Sequence, residues 1–311
     1  MRLVTLLFLA LAAAAPARAS SAGVVVVMNS GEATISLLDM AGTELKRIPV
    51  LREPHHVALS PDGRELLVGD SAGNEMLFLD PRTGEIRRRA AVANPYHLAF
   101  SPDGKWLVVT GLARNQVDVY DARTMTLAKR FPAPRMPSHL AFSPDSSVVY
   151  ATLQGTDQLA AYDIKRQQQL WVREVGPAPA GVIWHDDKLL VANMGSDHFA
   201  VVDPVDGRVE RRVITGRGAH QLFMAPDGRT LWINNRVDGT TVALDPRTFA
   251  LIRTYRVPGG PDCIDFAPDG KLWITQRFIK KVGVLDPVTG ALQSFPVGRS
   301  PHGIFLTANV Q

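Results

Sequence analysis

VALSPDG at 57–63, LAFSPDG at 98–104, LAFSPDS at 140–146, LFMAPDG at 222–228 and IDFAPDG at 264–270 are five copies of one segment, an apolar strand running into a tight turn. Proline fixes φ, aspartate closes its own turn and glycine supplies φ > 0, so each copy ends a strand at a defined point. A second ladder runs through the chain: Asp39, Asp80, Asp121, Asp163, Asp203, Asp245 and Asp286 each close an apolar strand, 40 to 42 residues apart. Seven units of about 41 residues match the blade period of a β-propeller.

One unit, followed outward from its turn, reads HHVALS, PDGR, ELLVGD, a polar loop, MLFLD, the PRTGE turn and IRRRAAV, four short strands in all. The second strands, such as WLVVTG, VVYATL and LWITQ, are nearly continuous apolar runs, as expected of strands packed on both faces between neighbouring blades. The repeat is out of phase with the chain ends, for it starts on a second strand (VVVVMN, 24–29) and finishes on a first strand (HGIFL, 302–306). The expected fold is therefore an all-β, seven-bladed propeller over residues 20–311, with four antiparallel strands per blade and a last blade that joins both termini, leaving no free sheet edge.

Residues 1–19 read as a cleaved signal peptide: Arg2, an apolar run from Leu3 to Ala15, and the small-residue pattern Ala17-Arg18-Ala19. That run is too short for a comfortable membrane span of about 20 residues, so the expected product is periplasmic or secreted. The 34 Lys and Arg stand against 30 Asp and Glu, and without Arg2 and Arg18 the excess is two, which argues against a nucleic-acid partner. Cys263 is the single cysteine and rules out an intramolecular disulfide.

The repeated turns occupy one end of every blade, which leaves chemistry to the opposite face. There the loops entering the first strands place His56, His97, His139, Gly181, His220, Cys263 and Gly303 at one equivalent position, with His55 and His302 one residue earlier. His56, His97, His139, His220 and Cys263 are thus candidate ligands for copper, zinc or the metal of a haem-type cofactor, since imidazole and thiolate are common donors to these ions. The competing reading is that each imidazole hydrogen-bonds the backbone of a neighbouring blade. Arg52, Arg135, Arg217 and Arg299 precede the ring, and Arg236 and Arg277 come from second-strand loops on the same face; these six guanidiniums suit an anionic ligand. Glu53, Asp70, Asp157, Asp197, Asp238 and Asp262 share that face, and a solvated, salt-bridged rim reads equally well. No Gly-rich phosphate loop, nucleophile elbow, His-Glu-x-x-His or paired Cys-x-x-Cys occurs.

The repeats VDPVDGRV (202–209), VLDPVTGAL (284–292) and VGRSPHGIFL (297–306) resemble those of the YVTN (YncE-like) seven-bladed propellers, and the likeness covers nearly the whole chain after residue 19. That family usually carries glycine at the ring position, as Gly181 and Gly303 do, so the four histidines and Cys263 depart from it. At the level of fold the chain is also similar to the haem d-type propeller of nitrite reductase and the multi-histidine copper propeller of nitrous-oxide reductase, a similarity that transfers no individual ligand. Together these readings imply a monomeric ligand-binding or accessory protein, with a periplasmic redox protein or an anionic small molecule as partner. The alternatives are an interaction scaffold for an exported redox enzyme and a lactonase-like hydrolase.

Overall fold

The computed structural model describes residues 23–310, and the expected signal segment lies outside them. The chain forms seven four-stranded antiparallel sheets. Six blades run through four consecutive strands, as in Pro54–Leu59, Leu66–Asp70, Glu75–Leu79 and Ile86–Ala91. In the seventh, the C-terminal strand Pro301–Leu306 pairs with Val24–Asn29, whose other edge carries Thr34–Asp39 and then Glu44–Pro49. The expected closure by both termini is what the structure contains.

Burial falls where the sequence pattern requires. Second and third strands such as Leu66–Asp70 and Glu75–Leu79 are buried at every residue, while outer strands such as Ile86–Ala91 are largely exposed. The core is divided into layers between blades rather than gathered at one centre. On one side of the closing blade Val26, Met28, Ile35 and Leu37 pack against Leu66, Val68, Leu77 and Leu79 of the next blade. On its other side Val25, Val27 and Leu38 meet Trp273 and Val282. Each such aliphatic side chain contributes roughly 1.5–3 kcal/mol when fully buried, so the ring is held by apolar contact on both flanks of its seam.

The turns work as their residues dictate. Asp80 Oδ1 accepts the backbone N–H groups of Arg82 (2.7 Å) and Thr83 (3.2 Å), and Asp121, Asp245 and Asp286 repeat the arrangement. In the Ser-Pro-Asp-Gly turn, Ser60 Oγ donates to Asp62 Oδ1 at 2.7 Å, and Gly63 sits at φ +67°, where a side chain is disfavoured. Among the described residues no helix is long and apolar enough to cross a membrane.

One carboxyl fastens the seam at the turn face. Asp265 accepts the N–H of Leu306 (2.6 Å), in the closing strand, and that of Phe266 (2.8 Å). Burial raises its pKa from 3.8 to about 6, against the lowering effect of those two bonds. A folded-state pKa above the unfolded one means that the stability from this group is complete below pH 4 and is lost as pH rises through 6. The displacement corresponds to roughly 3 kcal/mol at full burial, less for a side chain that keeps some solvent. Denaturant unfolding of wild type and Asp265→Asn from pH 4 to 7 should show wild type losing stability relative to the variant as pH rises. A pH-independent difference between them would contradict this assignment.

Candidate functional site

The channel mouth is shaped by a β-bulge at the start of six of the seven inner strands; His97–Phe100 pairs without one. Between Pro54 and Val57, Pro137 and Leu140, Pro179 and Val182, Ala219 and Gln221, Pro261 and Ile264, and Pro301 and Ile304, the inner strand carries one residue more than its partner. Such a bulge leaves two residues opposite one and re-aims their side chains. The ring position read from the sequence is one member of this pair. The other member supplies His55, Ser138, Ala180, Asp262 and His302, and Tyr96 precedes His97 at the start of the second blade's inner strand.

The bulges are tied from blade to blade by polar side chains set in the apolar second strands. Thr110 Oγ1 accepts the N–H of His97 (3.1 Å) and donates to the carbonyl of Ser138 in the next blade (2.6 Å). Thr152 joins His139 to Ala180, and Thr275 joins Cys263 to His302, in the same way. Asn234 Nδ2 donates to the carbonyl of Asp262 at 3.0 Å. Where the ring position is glycine, the approach of the next blade requires it: a Cβ on Gly181 would lie 2.7 Å from Gln221 Cα, and one on Gly303 would lie 2.5 Å from the carbonyl oxygen of His55.

The frame brings six of the eight histidines into one cluster. Ring centroids are 3.8 Å apart for His55 and His302, 4.4 Å for His56 and His302, 4.5 Å for His56 and His97, 4.9 Å for His97 and His139, and 5.6 Å for His139 and His220. Tyr96 packs on His55 at 4.1 Å. Apart from half-buried His97, all of these histidines are buried. Burial, followed by the presence of like neighbours and guanidiniums, lowers the pKa of His55, His56, His139 and His302 well below the ordinary value, and desolvation takes His97 to about 3. The cluster is therefore a set of neutral imidazoles at neutral pH.

Their nitrogens are poorly served. His139 Nδ1 meets Ser138 Oγ at 2.7 Å, but His55 Nδ1, His56 Nε2, His97 Nδ1, His139 Nε2 and His302 Nε2 are buried without a hydrogen-bond partner. Among the described residues none of the six rings bonds a neighbouring blade's backbone, the arrangement that a purely structural role would use. His55, His56 and His302 each offer a nitrogen within 4.8 Å of the others, as do His220, Asp262 and His302 through one ligand atom apiece. Cys263 lies beside them, its thiol 3.3 Å from Gln221 Oε1 and 3.5 Å from His302 Nδ1; burial and the Asp262 charge push its pKa up, which keeps it protonated.

The arginines divide into two groups. Arg236 and Arg277 reach the cluster through Asp262. This residue reads from the sequence as a rim acid, but the fold buries it completely. Arg236 donates to Asp262 Oδ1 through both Nε (2.9 Å) and Nη2, and Arg277 Nη1 donates to Oδ2 at 3.1 Å. Burial disfavours the Asp262 carboxylate, yet Arg236, His220 and Arg277 outweigh it and hold the pKa well below the ordinary range. Two guanidiniums facing one carboxylate leave the hub one net positive charge. Arg52, Arg135, Arg217 and Arg299 are instead exposed on the rim, and Arg217 is paired with Asp238 at 2.7 Å.

Of the site, Tyr96, Asp262 and the three threonines are not reached by aligning the ring position alone. The signal for them is modest but present: a hydroxyl at the same register in WLVVTG, VVYATL and LWITQ, and the residue preceding each ring position.

A seven-bladed propeller with a histidine-filled hub is the class that fold and site define. The chain belongs to the YNCE-like beta-propeller family, whose description matches residues 3–310. No curated protein matches it in sequence. Similar solved structures include the dihydro-heme d1 dehydrogenase NirN in complex with DHE (TM-score 0.69, 16% identity, 94% of this chain and 77% of that one). The periplasmic gluconolactonase PpgL of Pseudomonas aeruginosa aligns with a TM-score of 0.71 and 21% identity over 91% of this chain and 98% of that one. Hydrazine synthase of Kuenenia stuttgartiensis aligns with a TM-score of 0.67 and 20% identity over 83% and 94%. At these identities the likeness is one of fold.

Removing the carboxylate alone should be costly. Asp262→Ala leaves two part-buried guanidiniums facing neutral imidazoles and should lower unfolding free energy by roughly 3–5 kcal/mol. The triple variant Asp262→Ala/Arg236→Met/Arg277→Met should recover most of that loss in the same denaturant titration. Equal stability of wild type and Asp262→Ala would show that the triad is not under electrostatic tension.

Proposed function

We propose that this protein is a periplasmic ligand-binding or accessory propeller that holds a metal ion, or the metal of an anionic redox cofactor, at its histidine hub. The observation that carries this reading is the set of five buried imidazole nitrogens with no partner. A buried polar atom left unsatisfied costs roughly 1–3 kcal/mol, and a stability-driven core would replace such side chains by apolar ones or bond them to backbone. Neutral imidazoles with free lone pairs are in the form that metal binding requires. Export is supported by residues 1–19 read as a signal peptide and by the periplasmic origin of PpgL.

The expectation of an anionic ligand held by six arginines has narrower support. Arg236 and Arg277 are engaged by Asp262, so the anion-facing set is reduced to the rim residues Arg52, Arg135, Arg217 and Arg299. The interaction-scaffold reading is favoured by one observation of its own: Val237 (63% exposed) and Phe278 (65%) stand on second-strand loops at the hub's face, where apolar side chains suit contact with another protein.

Protein purified from periplasm should contain stoichiometric metal or show a haem-type absorption band, and the His56→Ala/His97→Ala/His139→Ala variant should lose it at matched folded fraction. A colourless, metal-free protein that takes up no copper, zinc or haem would overturn the ligand reading in favour of the scaffold.

A further inference from the structure

Granting the reading of the hub as a metal site, we propose that its primary ligands are His55, His56 and His302, and that the ion it selects is monovalent copper. This set differs from the ring read off the sequence, of which it keeps only His56. The three side chains come from two adjacent inner strands, Pro54–Leu59 and Pro301–Leu306, and are 2%, 4% and 0% exposed. Each has an unpartnered ring nitrogen, Nδ1 of His55 and Nε2 of His56 and of His302. Tyr96 packs against His55, its ring tilted at 32° with centroids 4.1 Å apart.

The other candidate triple, His220, Asp262 and His302, is already spent. Both oxygens of Asp262 are engaged, Oδ1 by Arg236 and Oδ2 by Arg277, with His220 Nδ1 at 2.8 Å. A metal ion taking that carboxylate would have to displace guanidiniums that have no other acidic partner in the cluster. His55, His56 and His302 need displace nothing.

Charge decides the ion. The site offers three neutral donors, and the carboxylate nearby is over-matched by two guanidiniums, so the surroundings are positive before any ion enters. The repulsion felt by an entering cation grows in proportion to its charge and the desolvation penalty with the square of that charge. A dication therefore meets twice the repulsion and about four times the desolvation penalty of a monocation, with no anionic ligand in the set to offset either. Among ions that imidazole binds well, monovalent copper carries the least charge and is satisfied by three donors. The Cys263 thiol, turned to Gln221 Oε1, is left out of the coordination.

The test is an anaerobic titration of the apo full-length mature protein with Cu(I) against a chromogenic Cu(I) chelator, and in parallel with Zn(II). Wild type should take up one Cu(I) per chain and prefer it to Zn(II) by at least 100-fold. His302→Ala and His55→Ala should each weaken Cu(I) binding by 100-fold or more, whereas His97→Ala should leave it within a few-fold. X-ray absorption of the copper-loaded wild type, which needs no variant to fold, should show a three-coordinate Cu(I) shell of nitrogen and no sulfur. Zinc bound as tightly as Cu(I), loss of affinity confined to His97→Ala, or sulfur in the shell would overturn this assignment while leaving the hub a metal site. No uptake of either ion or of haem would overturn the reading beneath it as well.

Discussion

The arrangement of the hub depends on one backbone device, a bulge at the mouth of six of the seven inner strands, fixed in place by side chains from the second strands. Without the extra residue the two side chains at the mouth would point to opposite faces of the sheet; with it both reach the channel. The threonine hydroxyls of 110, 152 and 275 make this a property of the ring, because each accepts an N–H from its own blade and donates to a carbonyl of the next. A ligand set assembled this way draws its rigidity from blade packing, and it moves only if blades move.

Two opposed energetic demands meet there. The interblade layers, such as Val26, Ile35 and Leu37 against Leu66, Val68 and Leu77, supply ordinary apolar stabilisation. The hub works against them with unpartnered imidazoles and an excess guanidinium, each worth a few kcal/mol in the wrong direction. A ring closed on both flanks by packed aliphatics can carry that load; an open array with a free edge could not. Most of that load falls on the face that lacks the repeated turns; the turn face carries one desolvated carboxyl, Asp265.

Much of this was legible in the residues. The Asp ladder and the five Pro-Asp-Gly or Pro-Asp-Ser turns give blade number and phase, because turn chemistry is local and repeats without regard to tertiary context. His56, His97, His139, His220 and Cys263 are legible as a ring for the same reason, being equivalent in register. His55 and His302 read from the sequence only as neighbours of the ring; they and Asp262 join it through the bulge, which depends on pairing between strands and leaves no fixed mark in a single strand, while Tyr96 enters from the residue before an unbulged strand. The arginines show the limit more sharply: Arg217 and Arg236 are both loop residues of one blade, yet one meets Asp238 in solvent and the other Asp262 in the core, a difference set by depth and not by spacing.

At the centre of this picture, five hub imidazoles, those of His55, His56, His97, His139 and His302, are neutral and each keeps a buried ring nitrogen without a hydrogen-bond partner. Nitrogen-15 spectra of the histidine side chains in the metal-free protein, recorded from pH 5 to 8, test it directly. Those five of the eight histidines should show neutral rings throughout that range, with unprotonated nitrogens at the shifts of free lone pairs. Titration of these five rings near the ordinary histidine value, or unprotonated nitrogens with the shifts of hydrogen-bonded acceptors, would contradict it and leave the hub a solvated or internally bonded channel.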